Sequence, residues 1–164
     1  MAKNPKVLLI IPAYNEEKCI LNTVNKIKDY NKKNKTQFDI IVINDGSKDS
    51  TENILNENNI NHIKLIQNLG IGGAVQTGYK YALINDYDIA VQYDGDGQHD
   101  VAYVRDLIQA LEKDKSDMAI GSRFIDGSSS SFKSTAARRV GIKIISGFIK
   151  LFTGHKVFDP TSGF

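Results

Sequence analysis

The chain has 164 residues with 41% hydrophobic and 24% charged residues, the balance of an ordinary globular domain with room for one core. Its net charge of +2, with acids interspersed among the bases, argues for no nucleic-acid partner. Cys19 is the only cysteine, which excludes an internal disulfide and any cysteine-cluster zinc site and fits a reducing compartment.

In chain order, Lys6 to Ile11 is a run, apolar from Val7 onward, of the kind a buried parallel strand shows. Cys19, Ile20, Val24 and Ile27 then give one apolar helical face. Phe38 to Ile43 predicts a second strand, and Asp49 with Glu52 predicts a capping box that opens a helix through Leu55. His62 to Ile66 predicts a short third strand, followed by a helix carrying Val75, Tyr79, Ala82 and Leu83. Asp88 to Tyr93 predicts the fourth strand, Val104, Leu107, Ile108 and Leu111 the next helix, and Met118-Ala119-Ile120 a fifth strand. Gly127 to Ser131 is expected to be a loop, Val140 to Phe152 an amphipathic helix, and Lys156 to Phe158 a further strand. No run approaches the roughly 18 apolar residues of a membrane span. The alternation predicts an α/β fold, a mainly parallel sheet with helices on both faces. One domain over residues 1–164 is expected, cut short at its carboxyl end.

In such sheets ligands bind at the carboxyl ends of the strands. The unusual polar residues fall there: Pro12-Ala13-Tyr14-Asn15-Glu16, Asn44-Asp45-Gly46-Ser47, Asp94-Gly95-Asp96-Gly97-Gln98-His99 and Gly121-Ser122-Arg123. Asp94 and Asp96 are the sharpest signal. Alternate residues of an extended segment point the same way, so the two carboxylates can converge on Mg²⁺ or Mn²⁺, whose shell is completed by waters and phosphate oxygens. A plain Asp-Gly turn explains the same residues. A calcium EF-hand loop does not, because His99 and Arg105 stand where it needs glycine and glutamate. Gln98 is the better third ligand and His99 the weaker one.

Asn68-Leu69-Gly70-Ile71-Gly72-Gly73 enters a helix N-terminus, which favours anions. It is neither a dinucleotide fingerprint nor a P-loop, and its glycines also suit close helix–sheet packing. Asp45 can accept a hydrogen bond from a base, or only form a turn; Tyr14 can stack on a base, or only pack at the rim. Arg123, Arg138, Arg139 and Lys143 supply positive charge suited to phosphates, although a solvated helix face accounts for at least one of Arg138 and Arg139. No nucleophile is evident at these strand ends.

Taken in order, Ile11 to Glu16, Asn44 to Ser47, Asn68 to Gly70, Asp94 to His99, Gly121 to Phe124 and Asp159 to Phe164 resemble the family 2 glycosyltransferases of the GT-A fold. The resemblance is greatest to the dolichol-phosphate mannose synthase and polyprenyl-phosphate sugar transferase branch. It implies that Pro12, Ala13, Tyr14, Glu16 and Asp45 line the nucleotide, with Gly70 beside it. It further implies that Asp94, Asp96 and Gln98 hold Mg²⁺ or Mn²⁺, and that Asp96, Arg123 and Arg139 (or Arg138) carry the chemistry near the phosphates. The second motif departs from the usual paired acids, being Asn44-Asp45, but keeps the base-contacting aspartate. The expected partners are a UDP- or GDP-linked sugar and a polyprenyl phosphate or saccharide acceptor. A cytoplasmic location at the inner membrane face, peripheral membrane contact and homo-oligomer formation through Val140 to Phe152 are also expected.

Overall fold

The computed structural model describes residues 5–95, 100–121, 145–149, 151, 152 and 154. The chain divides into two compact units, Met1–Ser116 and Asp117–Phe164. In the first unit the elements run β1 (Val7–Ala13), α1 (Ile20–Asn34), β2 (Phe38–Asn44), α2 (Thr51–Glu57), β3 (His62–Lys64), α3 (Gly70–Ile84), β4 (Ile89–Gln92) and α4 (Ala102–Asp114). In the second, residues 145–149, 151 and 152 are helical.

The four strands form one sheet of order β3-β2-β1-β4, and every pairing is parallel. β1 is central, and Leu8, Leu9, Ile10 and Ile11 have no exposed surface, which is why that run reads as continuously apolar. The helices α1 and α2, which join β1 to β2 and β2 to β3, pack against each other on one face. The return from β3 to β4 reverses direction and puts α3 on the other. On that face Leu8, Ile10, Ile41 and Ile43 pack with Ala74 and Ala82 of α3.

Two details of the helices differ from expectation. The buried face of α3 is Ala74, Val75, Gly78 and Ala82, whereas Tyr79 and Leu83 are exposed. Ala74, Gly78 and Ala82 recur every four residues, so the helix presents its smallest side chains and the backbone lies close on β1; the larger groups turn outward. The predicted capping box is also absent. Asp49 Oδ1 accepts the Thr51 N–H at 3.0 Å, and Glu52 pairs instead with Lys64 at 2.5 Å on the surface.

The strand ends shift by one or two residues. β3 stops at Lys64 because Leu65 N–H already meets the last β2 carbonyl, that of Asn44, at 2.9 Å, and Ile66 is fully exposed. Met118-Ala119-Ile120 is not a strand: three residues commit few ladder bonds, none forms among the described residues, and Met118 is 74% exposed. The expected loop at Gly127 to Ser131 and strand at Lys156 to Phe158 lie outside the described residues. Of Val140 to Phe152, the described part is helical, with Ile145, Phe148, Leu151 and Phe152 exposed. No described helix is long and apolar enough to cross a membrane.

The α3–β1 approach gives a direct test. A Cβ on Gly78 would land inside the side chain of Ile10, a branched residue held in the central strand. Gly78→Ala is therefore expected to destabilise the protein by about 1–3 kcal/mol despite alanine's better helix propensity, measured by urea denaturation. A stabilised variant would contradict the packing.

Candidate active site

Strand order reverses between β1 and β4, and in open α/β sheets the crevice beyond the carboxyl ends of the strands at such a reversal is where ligands bind. A cavity of about 380 Å³ lies there, lined by Pro12, Ala13, Tyr14 and Glu16 after β1, Asp45 after β2, Asn68, Gly70, Ile71 and Ala74 at the start of α3, and Asp94 and Gly95 after β4. All seven site residues expected from sequence that fall among the described residues are in this lining: Pro12, Ala13, Tyr14, Glu16, Asp45, Gly70 and Asp94. Asp96, Gln98, His99, Arg123, Arg138, Arg139 and the Asp159–Phe164 motif lie outside the described residues.

The cavity has a strong electrostatic character. Glu16, Asp45 and Asp94 bring three carboxylates to it, and no described lining residue is basic. Asp45 is only 3% exposed. Its backbone N–H continues the β1–β2 ladder to Ala13 carbonyl at 2.8 Å, and its Oδ1 accepts the Leu69 N–H at 2.7 Å. Gly46 follows with φ +68, and a Cβ there would stand 2.9 Å from Asn68 N, so this glycine is what lets the Asn68 loop lie directly on the end of β2. Asn68 Oδ1 in turn accepts the Gly70 N–H at 3.0 Å, turning the chain into α3. By contrast, Gly70 and Gly72 have open space where a Cβ would stand, so close packing does not explain them. Tyr14 is 42% exposed at the rim, and Asp94 is half-buried with Oδ1 3.5 Å from Gln92 Nε2.

Asn44 is fully buried. Its Oδ1 accepts the Ser47 N–H at 3.0 Å, while its Nδ2 has no hydrogen-bond partner among the described residues. The accepting role is one a carboxylate oxygen also performs, which accounts for amide standing where the resemblance leads one to expect acid.

The loops after β1 and β2 are clasped by a set of side-chain bonds that sequence reasoning missed. Asn15 N–H donates to Ser47 Oγ at 3.0 Å, and Lys48 N–H returns to Asn15 Oδ1 at 2.8 Å. Glu16 N–H donates to Thr51 Oγ1 at 2.9 Å, Glu17 N–H to Asp49 Oδ2 at 3.1 Å, and Ser50 N–H to Glu17 Oε2 at 3.0 Å. Asn15 holds φ +58, a conformation asparagine tolerates better than most residues, and that preference was the available signal. The clasp fixes the backbone beneath Tyr14 and Glu16.

Burial pushes the Asp49 carboxyl up, but hydrogen bonds from the Thr51 hydroxyl and from the N–H groups of Thr51, Glu17 and Asp49 itself outweigh it, and the net shift is down from 3.8. A depressed carboxyl stabilises the fold above its unfolded value, and that contribution disappears as pH falls through the folded one. Wild-type protein is therefore expected to lose stability below about pH 4 more steeply than Asp49→Asn, by urea melts across pH 2–6. Equal slopes would contradict the clasp.

Comparison with known proteins follows the same residues. The glycosyl transferase family 2 profile matches residues 8–164. The chain belongs to that family. A UDP-N-acetylglucosamine–dolichyl-phosphate N-acetylglucosaminyltransferase of Methanococcus voltae is 38% identical over 175 residues, covering 96% of this chain and 67% of that one. Glucosyl-3-phosphoglycerate synthase of Mycobacterium tuberculosis, solved with UDP, superposes with TM-score 0.66 at 19% identity over 97% of this chain and 55% of its own. A mannosyltransferase of Pyrobaculum calidifontis, solved with GDP-mannose and Mn²⁺, gives TM-score 0.55 at 20% identity over 73% and 35%. These place the fold in the GT-A class. The chain spans about two fifths to two thirds of the length of the curated relatives it matches.

Proposed function

We propose that residues 1–164 form the donor-binding part of a metal-dependent, inverting glycosyltransferase that moves a sugar from a UDP- or GDP-linked donor to a polyprenyl phosphate. The observation that carries this reading is the acid-lined cavity at the strand reversal. A nucleoside diphosphate is itself anionic, so an entrance lined by three carboxylates favours a ligand that arrives together with a cation. The donor set suits Mg²⁺ or Mn²⁺. Both are hard ions, and Mg²⁺ typically takes one or two carboxylates and completes its shell with water and phosphate oxygens. Asp94 has the right chemistry and place, and Asp96 and Gln98 are proposed beside it.

In this reading Tyr14 offers its exposed ring face to the base. Asp45 keeps one oxygen on Leu69 N–H and turns the other to a donor on the nucleoside, while the Gly70 end of α3 presents backbone N–H groups. Glu16 is held at the rim by the clasp. Asp94 and Asp96 hold the cation, which when bound neutralises charge growing on the departing diphosphate. Arg123 and Arg139 are proposed to add positive charge at the phosphates. The acceptor follows from the chemistry: a polyprenyl phosphate oxygen is already anionic and needs no general base, whereas a saccharide hydroxyl needs one. The M. voltae relative is named for a dolichyl-phosphate acceptor. A cytoplasmic site at the inner membrane face, peripheral lipid contact and self-association belong to the same proposal.

Calorimetry tests the central claim. UDP or GDP is expected to bind at least about tenfold more tightly with Mn²⁺ than with EDTA, about 1.4 kcal/mol. Asp94→Asn or Asp96→Ala is expected to abolish the difference. Metal-independent binding, or an unchanged Asp96→Ala, would contradict it. Incubation with UDP- and GDP-sugars plus a polyprenyl phosphate then separates turnover, seen as released nucleoside diphosphate, from binding alone.

A further inference from the structure

Thr23 lies on α1, outside every motif, and is 1% exposed. A threonine inside a helix usually returns its hydroxyl to a carbonyl of its own preceding turn. Thr23 Oγ1 instead donates to the carbonyl of Gly95, 72 residues away, at 2.9 Å, and the bond is buried. Gly95 is the residue directly after Asp94. A Cβ at Gly95 would stand 3.0 Å from the Pro12 carbonyl oxygen and 3.5 Å from Ile11 Cγ2, so this peptide is pressed against the end of β1. One side of the turn is therefore set by contact with β1 and the other by the Thr23 hydroxyl.

We infer that Thr23 is a positioning residue: its hydroxyl fixes the Gly95 peptide and with it the direction in which Asp94 is presented to the cavity. The inference rests on the reading of Asp94 as a cation-holding carboxylate. Without the hydroxyl, the Gly95 carbonyl loses the side-chain donor it has among the described residues, and the turn gains by rotating toward water. Asp94 is joined to Gly95 through the preceding peptide, so a rotation at Gly95 shifts the backbone from which the Asp94 side chain leaves. Mg²⁺ demands near-octahedral oxygens at about 2.0–2.1 Å, so a small rotation is felt at the cation before it is felt in the core. The bond also explains why a helix that contributes no side chain to the cavity carries a buried hydroxyl among Ile20, Val24 and Ile27.

The test compares the full wild-type chain with Thr23→Val, which keeps shape and removes the donor, and Thr23→Ser, which keeps the donor. Each is titrated with UDP and with GDP, in Mn²⁺ and in EDTA, alongside hydrogen exchange of the 91–95 segment and thermal melting. Thr23→Val is expected to weaken Mn²⁺-supported binding about tenfold, leave binding in EDTA unchanged and speed exchange at 91–95, with Thr23→Ser restoring both. If valine does not fold, Thr23→Ala carries the same expectation. A Thr23→Val protein with wild-type affinity, or losses in affinity that merely follow melting temperature in all variants, overturns the inference alone. Wild-type protein without Mn²⁺-supported binding overturns the functional reading and the inference with it. That failure is recognisable because the exchange rates still separate the variants.

Discussion

The parallel pairing of β1 with β2 on one side and β4 on the other is the constraint from which the rest of the first unit follows. β1 has strand partners on both edges and helices over both faces, so it must be apolar throughout, and Val7 to Ile11 is. The order β3-β2-β1-β4 reverses beside β1, and the cavity lies there, beyond the carboxyl ends of β1, β2 and β4 and at the start of α3. Its place is set by where these strands end.

What the lining adds is rigidity and charge. The clasp between the loops after β1 and β2 satisfies backbone groups with side chains fixed early in the structure, so the entropy of ordering Tyr14 and Glu16 is met at folding rather than at binding. Asp45 ties a third loop, that of Leu69, to the same frame. The lining also brings three carboxylates to one crevice, and on the proposed reading a cation that enters with the ligand offsets their repulsion of its phosphates.

Much of this was legible in the sequence, for identifiable reasons. Period, length and terminal polar residues locate β1, β2 and β4 to within a residue or two because buried parallel strands are nearly uniform in chemistry. The lining residues were legible because a strand's carboxyl end is a fixed address once the strand is found. Tertiary contacts were not. The exposure of Tyr79 and Leu83 depends on Gly78 meeting Ile10, a pair 68 residues apart, and no local pattern states that smaller side chains win the inward face. Met118 to Ile120 shows the opposite limit, since three apolar residues resemble a strand locally and become one only if a partner edge is supplied. The clasp was missed because each of its bonds joins residues 32–35 apart, and Thr23 because 72 residues separate it from Gly95.

The proposed reaction also places a demand on charge that the cavity alone does not meet. In-line displacement sets the acceptor and the leaving diphosphate on opposite sides of the anomeric carbon. Both are anionic when the acceptor is a lipid phosphate, so each needs its own counter-charge. Acids at Glu16, Asp45 and Asp94 would suit the donor if a cation were held beside its phosphates, but they repel a second phosphate. Positive groups for the acceptor must therefore come from another part of the sequence. Arg123, Arg138, Arg139 and Lys143 are the concentration of base that follows β4 and α4. On the proposed reading these bases are the candidates for that counter-charge, at the diphosphate or at the acceptor phosphate.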